Sequence, residues 1–167
     1  MGKTSLTFYG GVNEIGGNKI FLKDGDTKIF LDFGMSFSLR RRYYSSPFLS
    51  PKSERGLLEF GIIPRLQGVY RFDDSEPDID GVFLSHSHID HSAYISLLKK
   101  EVPVYCGETT ANILKALNEI RVHGFEFDID QVQIVPFRTG DRVKIGSLEI
   151  EPIHVDHSVP GSYGFIV

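Results

Sequence analysis

The run "IDGVFLSHSHIDHSAYISLLKK", residues 79–100, constrains the fold of this chain more than any other stretch. Val82, Phe83 and Leu84 form a short apolar run that reads as a buried strand. It leads straight into His86, His88, Asp90 and His91. Beyond them Ala93, Ile95, Leu97 and Leu98 predict a helix that begins near His91 and ends before Pro103. His86 and His88 are two apart at a strand end, so their side chains can converge on one side of a loop. Imidazole and carboxylate in this number suit zinc, manganese or iron, and a strand end holds them rigidly. A histidine-rich solvated turn is the alternative, and four potential ligands in the pattern H-x-H-x-D-H after a buried strand weigh against it.

The remaining periodicity is mostly that of strands. "SLTFYG" leads into the glycine-rich turn "GGVNEIGGN", and "KIFLKDGDTKIFLDFG" predicts a hairpin turning at Asp24-Gly25-Asp26, so the chain opens as a β-meander. Residues 35–78 lose the period and collect Arg, Ser, Pro and Gly. They read as a long loop or insertion, apart from a short helix in "SERGLLEFG". "VPVYCG", "QVQIVPF", "RVKIGSLEIEPIHV" and "SYGFIV" are strand-like, while "ETTANILKALNEIRVHG" places Ile113, Leu114, Leu117 and Ile120 at helical spacing.

Composition narrows the function classes. At 167 residues, 41% hydrophobic and 24% charged, residues 1–167 are expected to form one domain with one core. No apolar run of membrane-spanning length and no signal-like leader is present, so the expected compartment is the cytoplasm and no membrane partner is expected. Cys106 is the lone cysteine, and its apolar flanks favour a buried strand position over a nucleophile. A net charge of −4 gives no global footprint for nucleic acid. Locally, "SLRRRYYSS" sets Arg40, Arg41 and Arg42 beside Tyr43 and Tyr44, phosphate-pairing forks next to rings on which a base could stack, although a solvated loop is the simpler reading.

The pattern H-x-H-x-D-H is the hallmark of the metallo-β-lactamase superfamily, and other segments agree with it. "IFLDFG" resembles the superfamily's first motif, an aspartate at a strand end, here Asp32. "VDHSVPGSYGFIV" resembles the third, a histidine after a strand, here His157. "YGGVNEIGGNKI" and "HSVPGSYG" look more specifically like the ribonuclease J group of the β-CASP branch, whose members are nucleic-acid phosphodiesterases.

That resemblance implies a metal-dependent phosphodiester hydrolase acting on RNA, single-stranded RNA being the expected partner. His86, His88 and His157 would hold one ion, with Asp90 and His91 starting a second site, and zinc is the expected metal with manganese as the alternative. Asp32, grouped with Asp90 and His91 as catalytic, would orient ligands by hydrogen bonds. Two ions about 3.5–4 Å apart can lower the pKa of a bridging water and clamp the oxygens of the transition state. Ser158, Gly161 and Ser162 would meet the phosphate, and Arg40 to Arg42 would add affinity through the backbone. His154 would point to the face opposite His157 in an extended strand and is not expected on the same ion. His123, near a helix end, is assigned no metal role.

The resemblance further implies an α/β (α+β) architecture, the first half of an αββα sandwich with a mixed sheet and flanking helices. Family members complete the site with a bridging aspartate and a last histidine, which nothing after His157 supplies. The chain therefore reads as the N-terminal half of a longer catalytic domain, inactive alone. One sheet face is expected to be apolar and uncovered, which favours a homo-oligomer. A small-molecule metallo-hydrolase, thioesterase or glyoxalase-like, is the alternative on the same scaffold.

Overall fold

The computed structural model describes residues 3–45, 48–120 and 124–167, so His123 lies outside the described residues. Six strands form the larger sheet in chain order: β1 (Thr4–Phe8), β2 (Ile20–Asp24), β3 (Thr27–Leu31), β4 (Gly81–Leu84), β5 (Val104–Gly107) and β6 (Ile134–Phe137). The first three make the expected antiparallel meander, and β3 to β6 run parallel. The two-residue turn between β2 and β3 sets Gly25 at φ +58°, the left-handed region that favours glycine.

Parallel neighbours need crossovers, and these carry the helices. α1 (Phe37–Tyr43) and α2 (Glu54–Glu59) lie between β3 and β4, α3 (Ile89–Ser92) and a 3-10 turn (Ala93–Leu97) between β4 and β5, and α4 (Glu108–Ile120) between β5 and β6. Their apolar residues, among them Leu57, Tyr94, Leu97, Ala111 and Leu114, cover one face of the sheet. On that face lie Phe30, Val82, Leu84, Val104 and Cys106. Burial explains why all four residues of β4 are apolar or glycine, and it pushes the Cys106 thiol up to about 12, far from a reactive thiolate.

A second, antiparallel sheet of β7 (Val143–Ile145), β8 (Leu148–His154) and β9 (Tyr163–Ile166) packs on the other face. There Leu22, Ile29, Phe83 and Phe137 meet Ile150, Tyr163 and Phe165. Phe83 stacks on Tyr105 at 4.6 Å and stands edge-on to Phe165 at 5.8 Å. A side chain buried this fully contributes roughly 1.5–3 kcal/mol.

Three expectations change. The apolar sheet face is covered largely by the chain's own second sheet, and the apolar side chains most exposed on strands lie at sheet edges, among them Leu6 and Phe8 of β1 at 55% and 56% and Ile166 of β9 at 56%. Residues 35–78 hold the short helix expected in "SERGLLEFG", α2, N-capped by Ser53, and a second one that the sequence does not announce, α1, N-capped by Ser36, and the segment buries Tyr44, Leu57, Ile62, Ile63, Val69 and Tyr70. Helices of six or seven residues are too short to leave a clear period. The helix after His91 begins earlier, at Ile89, and changes to a 3-10 turn at Ala93. Ser92 sits at the joint, where its hydroxyl donates to the carbonyls of Ser87 and His88, a bond that bends helices.

Candidate metal centre

The carboxyl ends of β3 and β4 lie side by side and present the first two motifs together, the edge of a parallel sheet where ligands commonly bind. Asp32 follows β3 with φ +59°, a left-handed conformation that aspartate tolerates better than most residues. Its backbone N–H donates to Phe83 O at 2.9 Å, locking the two strand ends. The carboxylate is 8% exposed and accepts from Ser85 N at 2.8 Å, from Ser85 Oγ at 2.9 Å, and from His91 Nδ1 at 2.7 Å. A carboxylate so engaged orients its neighbours rather than facing an ion.

The turn after β4 is clamped from both sides. Phe33 N donates to His91 O, Met35 N to Ile89 O, and Asn18 N to Asp90 O, at 2.8, 3.0 and 3.1 Å. Gly34 passes so close that a Cβ there would lie 1.7 Å from Asp90 O, and no other residue fits. The buried Lys19 ammonium donates to the Gly34 and Gly17 carbonyls, bridging the glycine-rich opening to the Asp32 loop. Burial pulls Lys19 down to about 8 against the opposing charge of Glu14.

His157 reaches the cluster from the loop after β8. That loop is pinned by Val155 N to Ser162 O at 3.0 Å, and Tyr163 N donates to Ser85 O at 2.9 Å, so the second sheet is stitched to the turn itself. One nitrogen each from His86, His88 and His157 lies within 4.8 Å of the others, and His86 Nε2 is 3.1 Å from His88 Nδ1. Three imidazoles bonding zinc at about 2.0–2.1 Å in tetrahedral array stand roughly 3.3 Å apart, so small ring rotations close the site. Ser85 Oγ, donating to Asp32, is 2.8 Å from His86 Nδ1 and leaves His86 Nε2 for the ion. Ser158 Oγ lies 3.3 Å from His157 Nδ1 and leaves its Nε2 in the same way. Burial first, then the neighbouring imidazoles of His91, His157 and His88, pull His86 down to about 4, so it is neutral and ready to coordinate. The donor set thus fits a divalent transition metal.

Beside it His91 Nε2 and Asp90 Oδ2 are 3.6 Å apart, a second pair of donors. Burial opposes protonation of His91, but the hydrogen bond and charge of Asp32, with Asp90, raise its pKa overall. His154 stands edge-on to Tyr163 at 5.9 Å, outside the histidine cluster.

Several expected substrate residues are otherwise occupied. Arg40 pairs with Glu126, Nη2 to Oε2 at 3.0 Å and Nε to Oε1 at 3.3 Å, and so braces α1 against the segment after α4. Tyr43 stacks on Phe60 at 4.7 Å and Tyr44 is buried, so those rings are largely committed. Ser162 donates its hydroxyl to Val159 O, and Gly161 gives its carbonyl to Thr110 Oγ1. Both shape the turn that delivers His157. Arg41, Arg42 and Ser158 remain exposed. Ser85 and Asn18 carry no signal of a site role in the sequence beyond their places beside His86 and at the end of the glycine-rich turn, yet Asn18 Nδ2 lies 3.1 Å from His91 Nε2.

Residues 63–167, more than half of the chain, match the Beta-lactamase superfamily domain. The chain belongs to that superfamily. Ribonuclease J of Mycoplasma genitalium is 26% identical over 168 residues, covering 98% of this chain and 26% of the relative. A protein of unknown function from Enterococcus faecalis V583 superposes with a TM-score of 0.77 at 28% identity, over 98% of this chain and 40% of the other. BJP-1, a subclass B3 metallo-beta-lactamase of Bradyrhizobium japonicum, superposes with a TM-score of 0.58 at 17% identity over 99% of this chain and 54% of its own, which shows the shared fold. The chain spans 15%, 26% and 20% of three curated relatives it matches, about a quarter of their length or less. Within the superfamily its likeness is to ribonuclease J. No helix among the described residues is long and apolar enough to cross a membrane.

Proposed function

We propose that this chain is the metal-binding part of a zinc- or manganese-dependent phosphodiesterase of the β-CASP branch that cleaves single-stranded RNA. The observation that carries the reading is the convergence of His86, His88 and His157 beside the Asp90–His91 pair, in a chain whose relatives include ribonuclease J. His86, His88 and His157 hold one ion, and Asp90 and His91 contribute to a second. Bound there, divalent ions supply charge stabilisation at phosphorus and a nucleophile at neutral pH.

The chain's own residues do the rest. Asp32 and Ser85 fix the ring orientations of His91 and His86, so the donors are preorganised. Exposed Ser158, next to His157, is placed to donate to a phosphate oxygen. Arg41 lines a hollow of about 230 Å³ with Phe37, Phe127 and Ile89 of the metal-bearing turn, which supports a backbone contact one step from the reacting phosphate. Arg42 adds charge on the same helix. Neither depends on base identity, as expected for sequence-independent binding.

The test incubates labelled single-stranded RNA and DNA with the full-length protein, with zinc, with manganese and with chelator, beside His88→Ala. Metal-dependent RNA cleavage lost in the variant is the expected result. Thioester hydrolysis without cleavage of either polymer would overturn it in favour of a small-molecule hydrolase.

A further inference from the structure

Asn18 is the one side chain from the glycine-rich opening that touches the histidine cluster, and its orientation can be deduced. Its Nδ2 lies 3.4 Å from Asp90 O and 3.1 Å from His91 Nε2. A carbonyl oxygen only accepts, so turning the amide over would set Oδ1 against Asp90 O without a proton between them. The amide nitrogen therefore faces both groups, and His91 Nε2 must be the acceptor. On the other side of the ring Asp32 also only accepts, so His91 Nδ1 carries the hydrogen. Together the two contacts select, between the two neutral forms of the His91 ring, the Nδ1–H tautomer, with its single lone pair at Nε2 directed at Asn18.

The loop is built to hold the amide there. A Cβ on Gly11 would stand 2.3 Å from Asn18 Oδ1, so the glycine at 11, with φ +82°, makes the space the side chain fills. Glu14 braces the loop by accepting from Gly11 N at 3.3 Å, from Ser36 Oγ at 2.7 Å and from Ser38 Oγ at 2.5 Å.

We propose that Asn18 is the positioning residue of the second metal position: it keeps His91 Nε2 bare and aimed, and it yields that lone pair when an ion binds there. One nitrogen lone pair cannot serve an amide N–H and an ion together, so the Asn18 side chain keeps only its Asp90 contact in the loaded state. This rests on reading His91 as a metal ligand and is independent of the substrate being RNA.

The experiment compares wild type with Asn18→Leu, which keeps the loop's backbone bonds and approximate volume but removes the amide. In chelator-treated protein, at a pH high enough that the His91 ring has lost its second proton, ¹⁵N NMR is expected to show Nδ1 protonated and Nε2 bare, and this pattern should give way to mixed tautomers in the variant. In a zinc titration the Asn18 side-chain amide signals should move with the second equivalent and not the first. The variant should lose affinity about 10-fold or more at the second position, with the first within twofold. An Nε2-protonated His91 in wild type, an unchanged ring in Asn18→Leu, or equal losses at both positions would each overturn the assignment. A wild type that takes up one ion only would sink the metal reading of His91, while the ring signals alone would still decide whether Asn18 controls its proton.

Discussion

Asp32 Oδ2 lies 2.7 Å from His91 Nδ1, a bond that spans 59 positions of sequence and joins the end of β3 to α3. The same carboxylate satisfies both the backbone and the hydroxyl of Ser85. Asp32→Ala leaves three donors without their acceptor, and stability should fall by about 1–3 kcal/mol for the unsatisfied groups. Zinc affinity should fall roughly 10–100-fold. Asn at this position also tolerates the positive φ, so Asp32→Asn separates the loss of charge from backbone strain. Urea denaturation and competitive zinc titration give the two readings.

The three arginines of α1 should divide into two kinds. Arg40→Ala strands the buried Glu126 carboxylate, 7% exposed, and should destabilise by roughly 3 kcal/mol. Arg41→Ala and Arg42→Ala should leave stability within about 0.5 kcal/mol, as exposed substitutions do. Each should instead weaken RNA binding and reduce the slope of log affinity against log salt by about one. Filter binding at several salt concentrations, beside thermal melts, checks both halves.

Lys19 makes a pH prediction. Its folded-state pKa is about 8, against an ordinary 10.5, because burial disfavours the charged form. Below pH 8 both states hold the proton and Lys19 adds no slope. Between 8 and 10.5 the unfolded chain binds more protons than the folded one, so its contribution makes stability rise with pH. The buried tyrosines Tyr70 and Tyr94, raised mainly by burial, act in the opposite direction above about pH 10. Urea midpoints at pH 7.5, 8.5 and 9.5 should therefore rise in wild type relative to Lys19→Met, and parallel curves would refute the buried ammonium.

Glycine at two positions should prove unequal. Gly25→Ala meets nothing within 4 Å and bears only its positive φ, a penalty of about 1 kcal/mol. Gly34→Ala drives a methyl group into Asp90 O and should cost about 3 kcal/mol or more while displacing Asp90 and His91. Circular dichroism melts rank the two, and loss of the second zinc equivalent in any folded Gly34→Ala protein would tie the cost to the site.

The parts legible in the sequence were those built locally. An apolar strand running into H-x-H-x-D-H announced the turn, and the hairpin at Gly25 and α4 followed from turn chemistry and helical spacing. What stayed hidden depends on contacts between distant positions. Asn18 meets His91 across 73 residues, and Arg40 meets Glu126 across 86. Three adjacent arginines look alike in a string, and only packing shows that the first is half of an ion pair. The coverage of the second sheet face is hidden for the same reason: β7 to β9 read as strands, but nothing in their alternation says which sheet they pack on.

The carbonyls of Ile89, Asp90 and His91 are each capped by an amide from residues 18 to 35, and Ser85 O by the amide of Tyr163. The turn that carries the histidines has bonds of its own, His91 N and Ser92 N to His88 O, but these close a single short helical turn, and its placement depends on the caps from distant segments. An isolated turn of four residues is marginal, so the histidine cluster should take its final form only once the opening hairpin and the last strand have docked. Once assembled it should open only as a unit, with the amides of Asn18, Phe33, Met35 and Tyr163 exchanging their hydrogens at a common slow rate.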